Sequence, residues 1–388
     1  MKGNKLLKLS ILSLSFLMML RLTISPALAV IGAAVDKNVT EMQIMVIVAS
    51  VVAIPFGFVA GLLAGKVRTK TVLYIGLVLY LIGGIGPMLV ADFTFMIFCR
   101  ALLGAGTGLF LPYSAGLIAD FFTGEEFNMM IGLQSAAVSV GNIITSALAG
   151  VLASINWRFA FLIYGFAIIT FFLVAFNIPE PEKKERKKEE GNAFNRKMLF
   201  ICIAIFLYAI IYFAFFGFVS YVVEKIGGNA AQSGLASMVM TLLSLIAGII
   251  FAKVINILKK SSLPVILLIN VIGFFIISQA TGFGILALGA AFVGLGFGLL
   301  MPYGTMRIIE AAPESAGSFA NGMYMTFVNV GTAISPMILA IIGSVFNRKD
   351  DGQFIWFICS ILLVVGAVVS IVLALINKKE VITKLNAE

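Results

Sequence analysis

Apolar runs of roughly 20 residues follow one another along the whole chain, separated by short polar breaks. A run of that length crosses a hydrocarbon core about 30 Å thick as a helix, whereas a barrel strand needs only about 9–11 residues. Inside lipid every backbone N–H and C=O must find its partner within the protein, so these runs are read as transmembrane helices. Spans are predicted at 6–33, 41–64, 71–91, 94–117, 129–153 and 159–178, then at 198–223, 232–256, 262–280, 284–307, 320–343 and 354–376. Composition agrees: 61% hydrophobic and 12% charged residues exclude an ordinary soluble domain, whose apolar share is about 45–50%.

The two sets of six are copies. Gly104-Ala105-Gly106-Thr107-Gly108-Leu109-Phe110-Leu111-Pro112-Tyr113 returns 190 residues later as Gly294-Leu295-Gly296-Phe297-Gly298-Leu299-Leu300-Met301-Pro302-Tyr303, so both stretches read G-x-G-x-G-L-x-x-P-Y. The same offset relates Asp120 to Glu310, Gly132 to Gly322, Gly141 to Gly331 and Ile144 to Ile334. A duplicated unit sets the domain plan: an N-terminal bundle at 1–178, a charged linker at 179–197, a C-terminal bundle at 198–376 and a tail at 377–388. Glycines Gly104, Gly106, Gly108, Gly294, Gly296 and Gly298 are expected at close helix contacts, because small residues let backbones approach where lipid supplies no hydrophobic drive between helices.

Charge assigns sides. Lys2, Lys5 and Lys8, then Lys66, Arg68 and Lys70, the linker, Lys259 and Lys260, and finally Lys378, Lys379 and Lys384 fall on one side of an even number of spans. The positive-inside bias makes that side cytoplasmic, with both termini there, in a multi-pass protein of the cell membrane. The net charge of +9 is therefore a topological signal, and no nucleic-acid partner is expected. Ala27-Leu28-Ala29 behind an amino-terminal lysine cluster is reminiscent of a cleaved secretory signal. Arg21 interrupts that apolar core, and removal would leave 198–223 without its counterpart, so the segment is read as a retained span. Cys99, Cys202 and Cys359 all lie in apolar runs and serve packing. No metal and no cofactor is expected. With no His and no nucleophile-base pairing, the chain is not read as an enzyme.

Two six-helix halves joined by a tether, with Arg100-Ala101-Leu102-Leu103-Gly104-Ala105-Gly106 in the fourth span, resemble the major facilitator superfamily, and the likeness covers essentially the whole chain. Gly61-Leu62-Leu63-Ala64-Gly65-Lys66-Val67-Arg68-Thr69-Lys70 is similar to that family's G-x-x-x-D-R-x-G-R-K loop, with Gly65 in place of the Asp and Arg68 in place of the second Gly. Gly132, Gly141 and Gly150 are similar to the glycine-rich fifth helix of the antiporters, but Thr145-Ser146 stands where those carry Gly-Pro. The resemblance implies an all-α fold of two six-helix bundles and a secondary transporter working by alternating access. A small-molecule substrate, a coupling ion (H⁺ or Na⁺), the lipid bilayer and a monomeric state follow as further expectations.

Ionisable residues inside spans are costly and mark function. Family geometry implies that Arg21 in the first span and Arg100 in the fourth flank one cavity, and two cations call for an anion, which a guanidinium fork recognises well. A small organic anion is thus the first substrate expectation, with Arg21 and Arg100 as ligands and Gln134, Asn142, Tyr212, Tyr324 and Asn329 completing the pocket. No Asp or Glu lies near mid-membrane; Asp92, Asp120, Glu224 and Glu310 sit at helix ends, which disfavours proton-driven drug antiport. The alternatives are a multidrug or metabolite efflux antiporter, favoured by the Phe- and Met-rich spans, and a transporter-like solute sensor. A second constellation is read as gating: basic Lys66, Arg68, Lys70 and Lys260 after the second span of each half, with Asp120 and Glu310 ending the fourth, form ion-pair latches at the inner mouth.

Overall fold

The structure, a computed structural model, describes residues 2–18, 20, 23–63, 66–181, 195–313, 317–348 and 350–385. Among these there is no strand, and there are thirteen α-helices with 3₁₀ segments between some of them. Helix starts are marked by the sequence. Asp92 caps α5 (Phe93–Phe121) by accepting from the Phe95 N–H at 2.7 Å. Reciprocal capping pairs open two others: Asn38 with Glu41 at α3 (Val39–Leu63), and Asn229 with Gln232 at α9 (Ala230–Leu258). The Asn38-Val39-Thr40 triplet, which has the form of a glycosylation acceptor, is therefore a helix start in this fold. At the end of α8 (Arg196–Lys225), Gly227 takes φ +80° and the Gly228 N–H returns to the Val223 carbonyl at 2.8 Å, which closes the helix.

Ten helices among the described residues are long and apolar enough to cross a membrane. They include α4 (Thr69–Ile85, extended by a 3₁₀ turn to Met88), α6 (Gly124–Ile155), α11 (Phe283–Ala311), α12 (Gly317–Val345) and α13 (Gly352–Leu385). The two other predicted spans are made of shorter helices. The region 262–280 holds α10 (Ser262–Ser278), and the first span, expected as one helix over 6–33, is divided into α1 (Lys2–Met18), a 3₁₀ turn at Ser25–Ala27 and α2 (Leu28–Ala34). Pro26 sits at the start of that turn, where its missing N–H leaves no bond unmade. The sixth span is also composite: Trp157–Gly165 winds as 3₁₀ before α7 (Phe166–Asn177). A 3₁₀ coil stacks residues three apart. Phe161 and Tyr164, so related, are both fully buried.

The described helices fall into two compact units, Met1–Lys188 with Phe216–Met238, and Glu189–Phe215 with Val239–Glu388. One boundary, after residue 188, falls inside the predicted linker at 179–197, and the other two cut α8 and α9. Contacts inside the first unit give the reason. Gly150 of α6 and Gly234 of α9 cross so closely that a Cβ on Gly150 would meet the Ala230 carbonyl and the Gly234 Cα. Gln43 of α3 donates to the Gly217 carbonyl of α8 at 3.2 Å.

In both units the repeated glycines set the spacing. Gly104 and Gly108 of α5 face α3, where a Cβ would meet the carbonyls of Ala49 and Ala53, while Gly106 faces Gly76 and Tyr80 of α4. In the second unit Gly294 and Gly298 of α11 face the Met240 and Ser244 carbonyls of α9, and Gly296 faces Asn270 of α10. One central helix in each unit thus presents glycines alternately to two neighbours.

Candidate functional site

Arg100 is fully buried within the first unit. Its Nε donates to the Met45 carbonyl of α3 at 3.2 Å, its Nη1 donates to the Tyr164 hydroxyl at 2.7 Å, and its guanidinium carbon lies 5.7 Å from the Tyr164 ring centroid. The Tyr164 ring needs the absence of a side chain at Gly84 of α4, where a Cβ would overlap it. Tyr80 packs edge-on against Tyr164 and Phe110, with its hydroxyl donating to the Leu17 carbonyl of α1 at 3.3 Å. Arg100 therefore ties α3, α5 and the 3₁₀ segment of the sixth span together. Arg21 lies outside the described residues.

The amides of α6 enter two separate polar contacts. Gln134 Nε2 donates to Ser114 Oγ of α5 at 2.8 Å, and that hydroxyl meets Ser15 Oγ of α1 at 2.7 Å. Asn142 is buried two turns further along, with its Oδ1 accepting from Ser146 Oγ at 3.2 Å. Nearby, Thr145 donates to the Gly141 carbonyl at 2.6 Å, so its contact with Thr23 Oγ1 at 3.1 Å leaves Thr23 as donor. This seam joins α6 to α5, to α1 and to the turn at Thr23.

In the second unit the predicted pocket residues take three different settings. Tyr212 of α8 is half-buried and stacks on Phe297 of α11, with ring centroids 3.7 Å apart and planes 11° from parallel. Tyr208, one turn earlier, donates to Asn270 Oδ1 of α10 at 2.8 Å. Tyr324 of α12 is fully buried and turned to α11, donating to the Met301 carbonyl at 3.3 Å over Gly304, where a Cβ would strike the phenol. Asn329 is on the exposed side of α12, its Nδ2 donating to the Met325 carbonyl at 2.9 Å. Tyr324 is thus a clamp between two helices, while Tyr212 and Phe297 stack on each other and remain partly exposed.

Among the described residues, Lys70 and Glu310, expected in the inner latches, have other partners. Lys70 Nζ donates to the Ala175 carbonyl of α7 at 3.2 Å, and Glu180 receives the backbone N–H groups of Thr69 and Lys70. Lys70 sits in the first turn of α4, beside the end of α7, so those partners are nearest. Glu310 pairs with Arg307, three residues earlier on the same face, at 2.7 Å. Asp120 is exposed in the last turn of α5, and Lys66 and Arg68 lie in the turn before α4. The Lys260 side chain lies outside the described residues. Position 65, where the resembled loop carries an Asp, is Gly here, and the carboxylate at the start of α4 is Glu180.

The profile of the Major Facilitator Superfamily matches the chain twice, over residues 10–201 and 201–388. The chain belongs to the major facilitator superfamily. Among curated members of this superfamily, it is 25% identical over 303 residues to the quinolone resistance protein NorA of Staphylococcus aureus (strain Mu50 / ATCC 700699), covering 73% of this chain and 75% of that protein. It is 24% identical over 331 residues to multidrug resistance protein 1 of Bacillus subtilis (strain 168), covering 81% and 82% respectively. The fold is shared with the nucleoside transporter NupG (TM-score 0.73, 16% identity, 94% of this chain and 98% of that one). It is shared as well with a D-xylose-proton symporter (TM-score 0.71, 14% identity, 94% and 96%). As a superfamily member the chain is a multi-pass membrane transporter of small molecules.

Sequence reasoning missed Tyr164, Ser15, Ser114, Thr23 and Tyr208. Tyr208 was within reach, since it shares a helical face with Tyr212 at i, i+4. Nothing local in the sequence marks the others, because each is defined by a partner from a distant span.

Proposed function

We propose that the chain is a secondary transporter that exports amphiphilic, drug-like solutes by alternating access, with the linker and both termini cytoplasmic. The observation that carries this reading is the half-buried Tyr212–Phe297 stack, a flat aromatic surface on which a planar solute can lie. The names of the Staphylococcus and Bacillus relatives point the same way. Arg100 supports it from the other side, since its Nε and Nη1 are engaged by Met45 and Tyr164 in the frame of the first unit. Transport is expected to draw on a proton or sodium gradient.

The test is expression in an efflux-deficient bacterium, reading ethidium efflux and resistance to a quinolone. The chain should confer both, and a protonophore or sodium removal should abolish the efflux. An aromatic pair contributes about 0.5–1.5 kcal/mol beyond its area, so Tyr212→Ala or Phe297→Ala should weaken apparent affinity for ethidium by about 2–10-fold. A second reading, uptake or exchange of a small organic anion, is favoured by Arg21 in a chain with no mid-membrane carboxylate. Absence of efflux, together with carboxylate flux that Arg21→Ala removes, would replace the first reading by the second.

A further inference from the structure

In the first unit there is a cavity of about 290 Å³. Pro26 and Val30 from the broken first span, Ala153 of α6 and Ala230 of α9 form apolar walls, and Ser220 and Glu224 of α8 line it as well. Ser220 and Glu224 are four residues apart and therefore project from one helix face.

Two features give this cavity a chemistry. Ser220 is 3% exposed, yet its hydroxyl has no hydrogen-bond partner among the described residues. A buried hydroxyl without a partner is uncommon in a native protein and calls for an occupant. Glu224 is the one ionisable group among the lining residues, and it lies on the exposed side of α8, where it stays open to solvent and to an arriving ligand. The lining thus combines one carboxylate, apolar stretches, the polar side chains of Ser154, Asn229 and Ser233, and the unsatisfied Ser220 hydroxyl.

We propose that this cavity binds a small organic cation, a protonated amine with an apolar body, whose ammonium pairs with Glu224 and also hydrogen-bonds Ser220 Oγ. The apolar walls take the body. An anion would be repelled by Glu224, the one charged group of the lining, and a neutral alcohol would lack the charge-assisted bond, which is roughly twice as strong as a neutral one. The site is independent of the export reading, since neither Tyr212 nor Phe297 lines it and it is assayed by binding alone.

The experiment is isothermal titration of the purified full chain in nanodiscs with phenethylamine, 2-phenylethanol and phenylacetate. Phenethylamine should bind saturably, 2-phenylethanol distinctly more weakly and phenylacetate not at all. Glu224→Gln should weaken the amine by about tenfold, the scale of a charged hydrogen bond, and Ser220→Ala by a smaller factor. Ala153→Leu, which keeps the charge and fills the space, should also abolish binding. Unchanged amine affinity in Glu224→Gln or in Ala153→Leu overturns the proposal. So does equal affinity for 2-phenylethanol, or no saturable amine binding by the parent protein.

Discussion

Removing the Tyr164 hydroxyl tests whether Arg100 is frame or ligand. In Tyr164→Phe the Nη1 donor, 2.7 Å from that oxygen in the native protein, loses an acceptor inside a fully buried cluster. A hydrogen bond to a charged group contributes about 1.5–3 kcal/mol in soluble proteins. Interhelical bonds measured in membranes average about 0.6 and reach about 1.7 kcal/mol. Complete burial and the charge of the donor argue for the upper part of the membrane range, so a loss of about 1–2 kcal/mol is expected. At about 2–4 °C per kcal/mol for a unit of this size, melting should fall by about 2–8 °C. Arg100→Met removes the cation but leaves the buried Tyr164 hydroxyl without this donor, so it too should destabilise, whereas replacing both partners by apolar groups approaches neutrality. The double variant should therefore lose much less than the sum of the singles, since Tyr164 has no hydroxyl left to orphan. The assay is a double-mutant cycle by thermal unfolding of purified protein, with ethidium efflux measured in parallel. Additive losses, or an Arg100→Met protein that melts normally while transport vanishes, would refute the framework role and return Arg100 to the substrate.

Two further outcomes follow from the helix contacts. Gly106→Ala and Gly296→Ala occupy equivalent places in the repeat, but a Cβ at 106 meets the backbone of Gly76 and Tyr80, whereas one at 296 meets the side chain of Asn270. Backbone cannot step aside, so Gly106→Ala should destabilise by about 1–3 kcal/mol. Gly296→Ala should do so by less, its effect arising from displacement of Asn270 and the bond from Tyr208; thermal melts of the two proteins decide, and the reverse order counts against the argument. Glu180→Ala removes the carboxylate that accepts the Thr69 and Lys70 N–H groups, a capping loss of about 1 kcal/mol. Hydrogen exchange should rise at 69–73 and remain unchanged in α10, the equivalent helix of the second unit.

Much of the architecture follows from the chain itself, because lipid leaves the backbone so few choices. Span lengths, the twofold repeat at 190 residues and the capping residues Asp92, Asn38 and Asn229 are local or periodic signals, and they specify helices wherever those helices later pack. The glycine triplets are legible in the same way, although the alternation of their contacts between two neighbours is a tertiary fact. Three things depended on the third dimension. The division of the first span near Pro26 needed a site in the bundle where a broken helix could be held, and Pro55, Pro112, Pro302 and Pro336 lie inside helices that continue past them. The partners of Arg100 and Tyr324 come from distant spans, so a charge or phenol that looked like a ligand in sequence became a tie between helices. Glu180, which as sequence is one member of a charged linker, became the cap of α4 because the end of the sixth span returns beside that helix's first turn. Chain-local physics determines which segments are helices; the choice among possible polar partners is made by packing, which no single segment encodes.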